Sequence, residues 1–403
     1  EFAPTSGAGM GSACACANIT GAKGEALTFS RTSNATCSKQ GLATTGINNG
    51  DLVVCAGDQP RVESSGGVLG LRVEGARTNE TLRSQELENV VWAITASGVA
   101  APTITANFAT APDGTLTADR MQIPACPVVG NASGINQTSA AIASPSTSSV
   151  YMKANAGTPS VSICMYGITT GTRTCTQFTL NTSTWTRAVV PNVTNTGGMN
   201  MEIACENRTA SYTGATNTGA ADILVWGAQS EAGAYATSYI PTAAGLITRS
   251  ADIPHFARSV ATTAGVCVAA TIEVPALSAY TAGAGLFAPM LSAASGSAAS
   301  PYLWPFTAGT GASLAIDALG SSGAPVSYNP SIDNPTTFGR YVAGHNGVAY
   351  SYCANGVCRV NGPGSAWASP TYSYIKLDVN GSVAMSHIFT KVQVDPDFTR
   401  CTR

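Results

Sequence analysis

Between residues 100 and 230 apolar and polar residues alternate in short runs, and turn residues separate the runs. The runs read LTADRMQI, SSVYMKANAG, SVSICMYG, RTCTQFTL, STWTRAVVP, GMNMEIACEN and ADILVWGAQ. A period of two marks a strand with one face on a core, and no 3.6-residue period competes over any useful length. Strand-length segments separated by Gly, Asn or Pro predict a β-sandwich or jelly roll. From about residue 255 the style repeats in VCVAATIEV, YLWPFTAG, RYVAGHNGVAYSYCANGVCRVNG, YIKLDVNG and VAMSHIFTKVQV, which predicts a second sandwich. The first 75 residues hold the strand-like pieces ALTFSRTSNATC, DLVVCAGDQPRVE and LGLRVEGARTN.

Alternation also assigns faces. In SVSICMYG, Val161, Ile163 and Met165 share the core face and leave Ser162, Cys164 and Tyr166 opposite. In RTCTQFTL, Phe178 and Leu180 mark the core, which leaves Cys175 and Gln177 outside. Cys164 and Cys175 therefore point to one side of neighbouring strands, and a Cys164–Cys175 bridge follows if the register sets them opposite. In ADILVWGAQ, Ile223 and Val225 share one face, and Leu224 and Trp226 the other.

Composition agrees with strands. Charged residues are 10% of the 403, hydrophobic ones 44%, and Gly, Ser, Thr and Ala are plentiful; such a chain favours all-β structure. Net charge is −2, with Lys and Arg scattered singly, so no surface neutralises a row of phosphates and nucleic acid is not an expected partner. No apolar run is long enough to span a bilayer.

The 12 cysteines fall in three groups of four and form no zinc-type spacing. They read as a disulfide framework of an oxidising compartment, which predicts a secreted or extracellular protein. Beside Cys164–Cys175, Cys126 and Cys205 pair by elimination. Cys353 and Cys358 flank the Asn355-Gly356 turn of a hairpin, Cys267 and Cys401 join the ends of the last sandwich, and Cys37–Cys55 ties the N-terminal pieces. Cys14 and Cys16 remain, either as a strained Cys14–Cys16 pair or as a sign that another pairing is wrong. Nine N-x-S/T sequons, Asn79-Glu80-Thr81 and Asn207-Arg208-Thr209 among them, are compatible with a glycoprotein.

Catalytic signatures are sparse: there is no G-x-S-x-G, no H-E-x-x-H and no phosphate-cradling loop. Of three histidines, His255 lies nearest an acid, Asp252, in SADIPHF. Glu74, Glu86 and Glu88 are the most clustered acids, with Glu74 between Arg72 and Arg77. A glycosidase would need two such carboxylates across one bond. Binding needs less, namely an aromatic face for stacking and polar groups for hydroxyls. Tyr151, Lys153, Tyr166 and Gln177 all oppose core positions and would form such a face if their strands share a sheet. Tyr302 and Trp304 in YLWPF are a second aromatic strip, and Trp92, Trp185 and Trp226 read first as core.

The phrases PRVESSGGVLGLRVEGARTNETLRSQELENVVW, APDGTLTADRM, SVYMKANAG, STWTRAVV and ADILVWGAQSEAGAYATSYIPT, followed by TRSADI, keep an order that resembles phage tail and bacterial surface proteins. The resemblance covers roughly residues 60–252. It implies a carbohydrate-binding, galactose-binding-like jelly roll, and the last third resembles a concanavalin A-like (laminin G-like) sandwich. It also implies a structural Ca²⁺, for which Glu86 and Asp222 are the candidate ligands; no other cofactor is expected. The expected domains are an N-terminal β segment (1–75), the jelly roll (76–245) and the last sandwich (246–403), with the alternative that the N-terminal segment completes the last sandwich around an inserted jelly roll. The function expected is a secreted protein that binds polysaccharide or another glycan. The alternatives are an extracellular glycoside hydrolase or polysaccharide lyase, and a structural adhesin or fibre component.

Overall fold

The computed structural model describes residues 74–139, 142–194, 197–208 and 217–249 in full, with the backbone of every strand named below. The N-terminal strands are β1 (Ala17–Thr20), β2 (Ala26–Arg31), β3 (Arg61–Ser65) and β4 (Val68–Glu74). Next come β5 (Arg77–Asn79), β6 (Ala93–Ser97), β7 (Thr103–Ala109), β8 (Ala118–Ile123), β9 (Ala132–Ser139) and β10 (Ser146–Ala154). They are followed by β11 (Ser160–Gly167), β12 (Arg173–Thr179), β13 (Thr186–Val193), β14 (Met199–Glu206), β15 (Tyr212–Thr213), β16 (Ala221–Ala232) and β17 (Ile247–Arg249). The C-terminal strands begin with β18 (His255–Ala261), β19 (Val266–Glu273), β20 (Met290–Ser292), β21 (Leu303–Ala308) and β22 (Ser313–Ala318). They end with β23 (Phe338–His345), β24 (Tyr350–Ala354), β25 (Val357–Asn361), β26 (Thr371–Lys376) and β27 (Ser386–Asp395). The fold is all-β.

Two compact units divide the chain. One is Arg77–Arg249 and the other is built from the strands on either side of it. In the flanking unit, one sheet runs β1-β2-β27-β19-β23-β24-β25, with the β3–β4 hairpin joined to β27 through β4. N-terminal strands thus share ladders with the C-terminal β27, Leu71 lying opposite Phe389 and Leu27 opposite Val392. Cys353 and Cys358 are register partners across the β24–β25 hairpin, as the Asn-Gly turn predicts.

The Arg77–Arg249 unit is a two-sheet sandwich. A five-stranded sheet, β13-β10-β16-β8-β7, faces a six-stranded one, β15-β12-β11-β14-β9-β6. The period-two pattern turns Met121, Val150, Met152, Ile223 and Val225 inward from the first sheet. Ile135, Val161, Ile163, Met201 and Ile203 meet them from the second, all buried in one cluster. Leu224 and Trp226 face away from that core, as alternation requires.

At Gly227 the β10–β16 ladder shifts register. The glycine sits at φ +66°, in the left-handed region, and an added Cβ would lie 3.3–3.4 Å from the rings of Tyr151 and Tyr239. Past this bulge the chain folds back. Tyr239 packs on Trp226 with centroids 4.6 Å apart and hydrogen-bonds Ser84 Oγ at 2.6 Å through its hydroxyl. Trp226 is therefore buried, yet in an aromatic cluster on the outer face of its sheet rather than in the sandwich core; Trp92 is in the core.

Asn79 anchors the returning segment. Its Nδ2 donates to the carbonyls of Ala228 (3.1 Å) and Ile240 (2.8 Å), and its Oδ1 accepts from the amides of Thr81 (3.0 Å) and Ser230 (3.2 Å). All of the side chain's main hydrogen-bonding capacity is used, and the residue is 0% exposed. Asn79 is therefore closed to glycosylation in the folded protein, contrary to its sequon. Asn207 is likewise buried, with its Nδ2 on the Cys126 carbonyl at 2.9 Å.

Cys164 and Cys175 are register partners and form a disulfide. Cys126 and Cys205 differ from expectation. They are two buried thiols, not a bridge. The Cys126 Sγ lies 3.5 Å from the Cys205 carbonyl, and the Cys205 Sγ lies 3.1 Å from the Asn217 carbonyl. Burial pushes both thiols up, which keeps them protonated and unreactive. The expected partners Cys14, Cys16, Cys37, Cys55 and Cys401 lie outside the described residues, and for Cys267 only the β19 backbone is described.

Candidate functional site

The single face expected from Tyr151, Lys153, Tyr166 and Gln177 does not form. β10 belongs to the five-stranded sheet, whereas β11 and β12 belong to the six-stranded one, so the two pairs occupy opposite outer faces of the sandwich. Tyr151 is also no open platform. It is 6% exposed, with Trp226 at 5.6 Å and Tyr239 at 6.5 Å between ring centroids. Lys153 stays half-buried beside it.

The outer face of the six-stranded sheet is more open. Its ladders set Thr138 opposite Asn200, Asn200 opposite Tyr166, and Tyr166 opposite Arg173. Thr138 is exposed and the other three are half-buried. Four strands at about 4.8 Å give this row a width of about 14 Å. Thr138 Oγ1 bonds Asn200 Oδ1, and the guanidinium of Arg173 lies 4.3 Å from the centroid of the Tyr166 ring. Gln177 is exposed on the same face, two rows along. Asn136 donates to Thr95 Oγ1 at 2.9 Å on the opposite side of the strip. Alternation in GMNMEIACEN points Asn200 away from Met199 and Met201. That signal was readable, but its neighbours across the sheet were not.

Beside this row, on the same outer face, lies an ion network that shares Arg173 with it. Arg173 Nε meets Glu202 at 2.8 Å, Arg208 Nη2 meets Glu202 at 3.0 Å and also bonds Glu206, and both carboxylates are buried. Cys164, Glu202 and Glu206 are the group of three ligand-type side chains that converges among the described residues. The Cys164 sulfur is spent in its disulfide and two guanidinium groups neutralise the carboxylates, so this group is an internal brace and not a metal centre.

The residues expected to hold Ca²⁺ do not fit a cation. Asp222 binds Arg120 through both oxygens, at 2.8 and 2.6 Å, and accepts from Asn155 Nδ2 at 3.1 Å. The Arg120 guanidinium beside it holds the carboxyl below its ordinary range. Glu86 binds Arg83 through both oxygens at 3.1–3.2 Å. A cation at either place would have to displace a guanidinium.

The catalytic candidates are not assembled among the described residues. Glu74 is buried at the end of β4, with its backbone opposite Ser386. Asp252 and Tyr302 lie outside the described residues. His255 opens β18 opposite Lys376, and Trp304 sits in β21 opposite Asp317. Trp185, expected in the core, is half-buried directly before β13.

One acid does titrate unusually. Asp119 is buried, accepts from the amides of Leu87 and Asn107 at 2.8 Å each, and is pushed up to about 7 by burial, with Glu88 adding repulsion. Its folded-state value exceeds the unfolded carboxylate value of about 3.9, so the folded state binds the proton more tightly. Stability from this group is complete below about pH 4 and is lost as pH rises toward 7. Urea midpoints between pH 4 and 8 should fall with rising pH, and Asp119→Asn should flatten that slope. An unchanged slope in the variant would assign it elsewhere.

No family model and no curated protein matches the chain. Among solved structures it is similar to the N-terminal CBM22-1-CBM22-2 tandem domain of Xyn10C from Paenibacillus barcinonensis. Identity there is 10% and the TM-score 0.27, over 78% of this chain and 97% of that one. It is also similar to domains LG4-5 of the mouse laminin alpha1 chain, at 9% identity and TM-score 0.22, over 62% of this chain and 80% of that one. Neither shows the resemblance to phage tail and bacterial surface proteins, and at these scores the likeness carries no argument about function.

Proposed function

We propose that the Arg77–Arg249 sandwich binds a glycan on the outer face of its six-stranded sheet, as part of a secreted polysaccharide-binding protein. The observation that carries this reading is the aligned row Thr138–Asn200–Tyr166–Arg173. It offers a hydroxyl, an amide, a phenol and the outer edge of a guanidinium that is fixed by Glu202, none fully buried, on strands held rigid by the Cys164–Cys175 bridge and the adjoining ion network. Saccharides need this mixture of ring face and hydrogen-bonding groups. The disulfide and the cysteine count support an oxidising compartment. The carboxylates near the row favour binding over hydrolysis, because Glu202 and Glu206 are buried and matched by Arg173 and Arg208.

The test is a panel of immobilised neutral polysaccharides with parallel measurement of reducing and unsaturated ends. The wild-type chain should be retained without products, and Tyr166→Ala and Asn200→Ala should each weaken retention roughly ten-fold, the loss of one good polar or stacking contact. Products at low protein concentration would replace the binding reading with the enzymatic one. Self-association without retention would favour the structural adhesin.

A further inference from the structure

The five-stranded sheet carries two cations, Lys153 and Arg187, outside the ion pairs of the described residues. Arg77 pairs with Glu231, Arg83 with Glu86, Arg120 with Asp222, and Arg173 and Arg208 with Glu202 and Glu206. Lys153 and Arg187 form no ion pair among the described residues, and both are half-buried on adjacent strands. Tyr151 is the register partner of Arg187, so Lys153, two residues along β10, is its diagonal neighbour on the same face. Diagonal neighbours lie about 7–8 Å apart.

Arg187 is held in place. Its guanidinium lies 5.4 Å from the Tyr151 ring centroid, its Nη2 donates to Ser149 Oγ at 3.0 Å, and its Nε is buried with no hydrogen-bond partner. The residue as a whole is half-buried, so an anion meets the guanidinium at its remaining donors and not at the buried Nε. Tyr151 is itself fixed by Trp226 and Tyr239, so the guanidinium rests on a rigid support. Asp222 on this face is committed to Arg120. Glu231, the acid that feels the Arg187 charge, is fully buried, accepts from Thr237 and Gln229, and makes no ion pair with Arg187; burial pushes its carboxyl up against the opposing pull of Arg187. Half-buried Trp185 directly precedes β13 at the Lys153 end of the strip.

We propose that Lys153 and Arg187 bind the carboxylate or sulfate group of an acidic saccharide. Two cations suit one anionic group per sugar, whereas a phosphodiester chain needs a longer basic track than this chain of net charge −2 provides. The site is on the opposite sheet from the Thr138–Arg173 row and does not rest on it.

Native affinity electrophoresis of the full chain in gels containing dextran, carboxymethyl-dextran or dextran sulfate tests this on one sugar backbone. Retardation is expected in a charged gel and not in dextran, and it should decline with added salt. The gel that retards identifies the group as carboxylate or sulfate. Lys153→Met and Arg187→Met, which keep the apolar stems, should each weaken retardation roughly ten-fold, whereas Arg83→Met should not. Lys153→Arg should retain most of it. Equal retardation in all three gels, none in any, or an equal loss in Arg83→Met would overturn the proposal. So would an unaltered Lys153→Met/Arg187→Met double variant. Thermal unfolding of Lys153→Met should match wild type, and Tyr166→Ala should leave charged-gel retardation intact, so failure here is separable from failure of the other face.

Discussion

Asn79→Ala should destabilise the Arg77–Arg249 sandwich by about 4 kcal/mol in urea unfolding, because it strands several buried backbone groups at once. The carbonyls of Ala228 and Ile240 would lose a donor, and the amides of Thr81 and Ser230 an acceptor, at a site with no exposure to water. Each unsatisfied group costs about 1–3 kcal/mol, and partial relaxation keeps the sum below the simple total. Asn79→Asp would keep the acceptor but turn a buried carboxylate oxygen toward the Ala228 and Ile240 carbonyls, so at neutral pH it should be no milder than alanine and should recover in part as pH is lowered. A loss under about 1 kcal/mol for Asn79→Ala would show that the returning segment is held by its aromatic packing alone.

Arg208→Met should cost a comparable amount, about 3–5 kcal/mol, for an electrostatic reason. Glu206 is fully buried and Glu202 nearly so, and losing Arg208 leaves Arg173 as the guanidinium beside them, 2.8 Å from Glu202 but 3.9 Å from Glu206. An uncompensated buried carboxylate binds a proton more tightly, so the deficit should shrink as pH is lowered. Adding Glu206→Gln should recover much of the loss. Arg83→Met, which opens the solvent-accessible pair with Glu86, should cost under about 1 kcal/mol. Equal costs for the two arginine variants would mean that water reaches the Glu202–Glu206 brace.

What the sequence made legible was local. A period of two set Val161, Ile163 and Met165 against Cys164 and Tyr166, and the ladder brought Cys164 opposite Cys175. The same period put Tyr151 on an outer face, correctly, but could not reveal that Tyr239, 88 positions later in the chain, covers it. Sheet membership is a long-range property. Tyr151 and Tyr166 stand on consecutive strands with the same alternation, yet the turn after Ala154 carries the chain from one sheet to the other. Arg187 is illegible in the sequence for the complementary reason, since its meaning lies in the ion pair it lacks among the described residues. That requires knowing where every carboxylate has gone.

The short β5–β17 ladder has a consequence for folding order. It joins Arg77 to Arg249 and Thr78 to Thr248, with the Thr78 and Thr248 hydroxyls 2.8 Å apart across 170 positions of chain. A segment that closes on itself in this way enters and leaves the surrounding chain at nearly one point. For the flanking strands it is topologically a tight turn of great length. Once it has folded, β4 and β27 search for each other over a much shorter effective loop, although loop entropy changes only logarithmically and the gain is about 1 kcal/mol or less. Its main effect is on modularity: none of the flanking sheet's ladders includes a strand of the closed segment. A short linker between Ala76 and Ser250 could take its place while leaving those ladders unbroken.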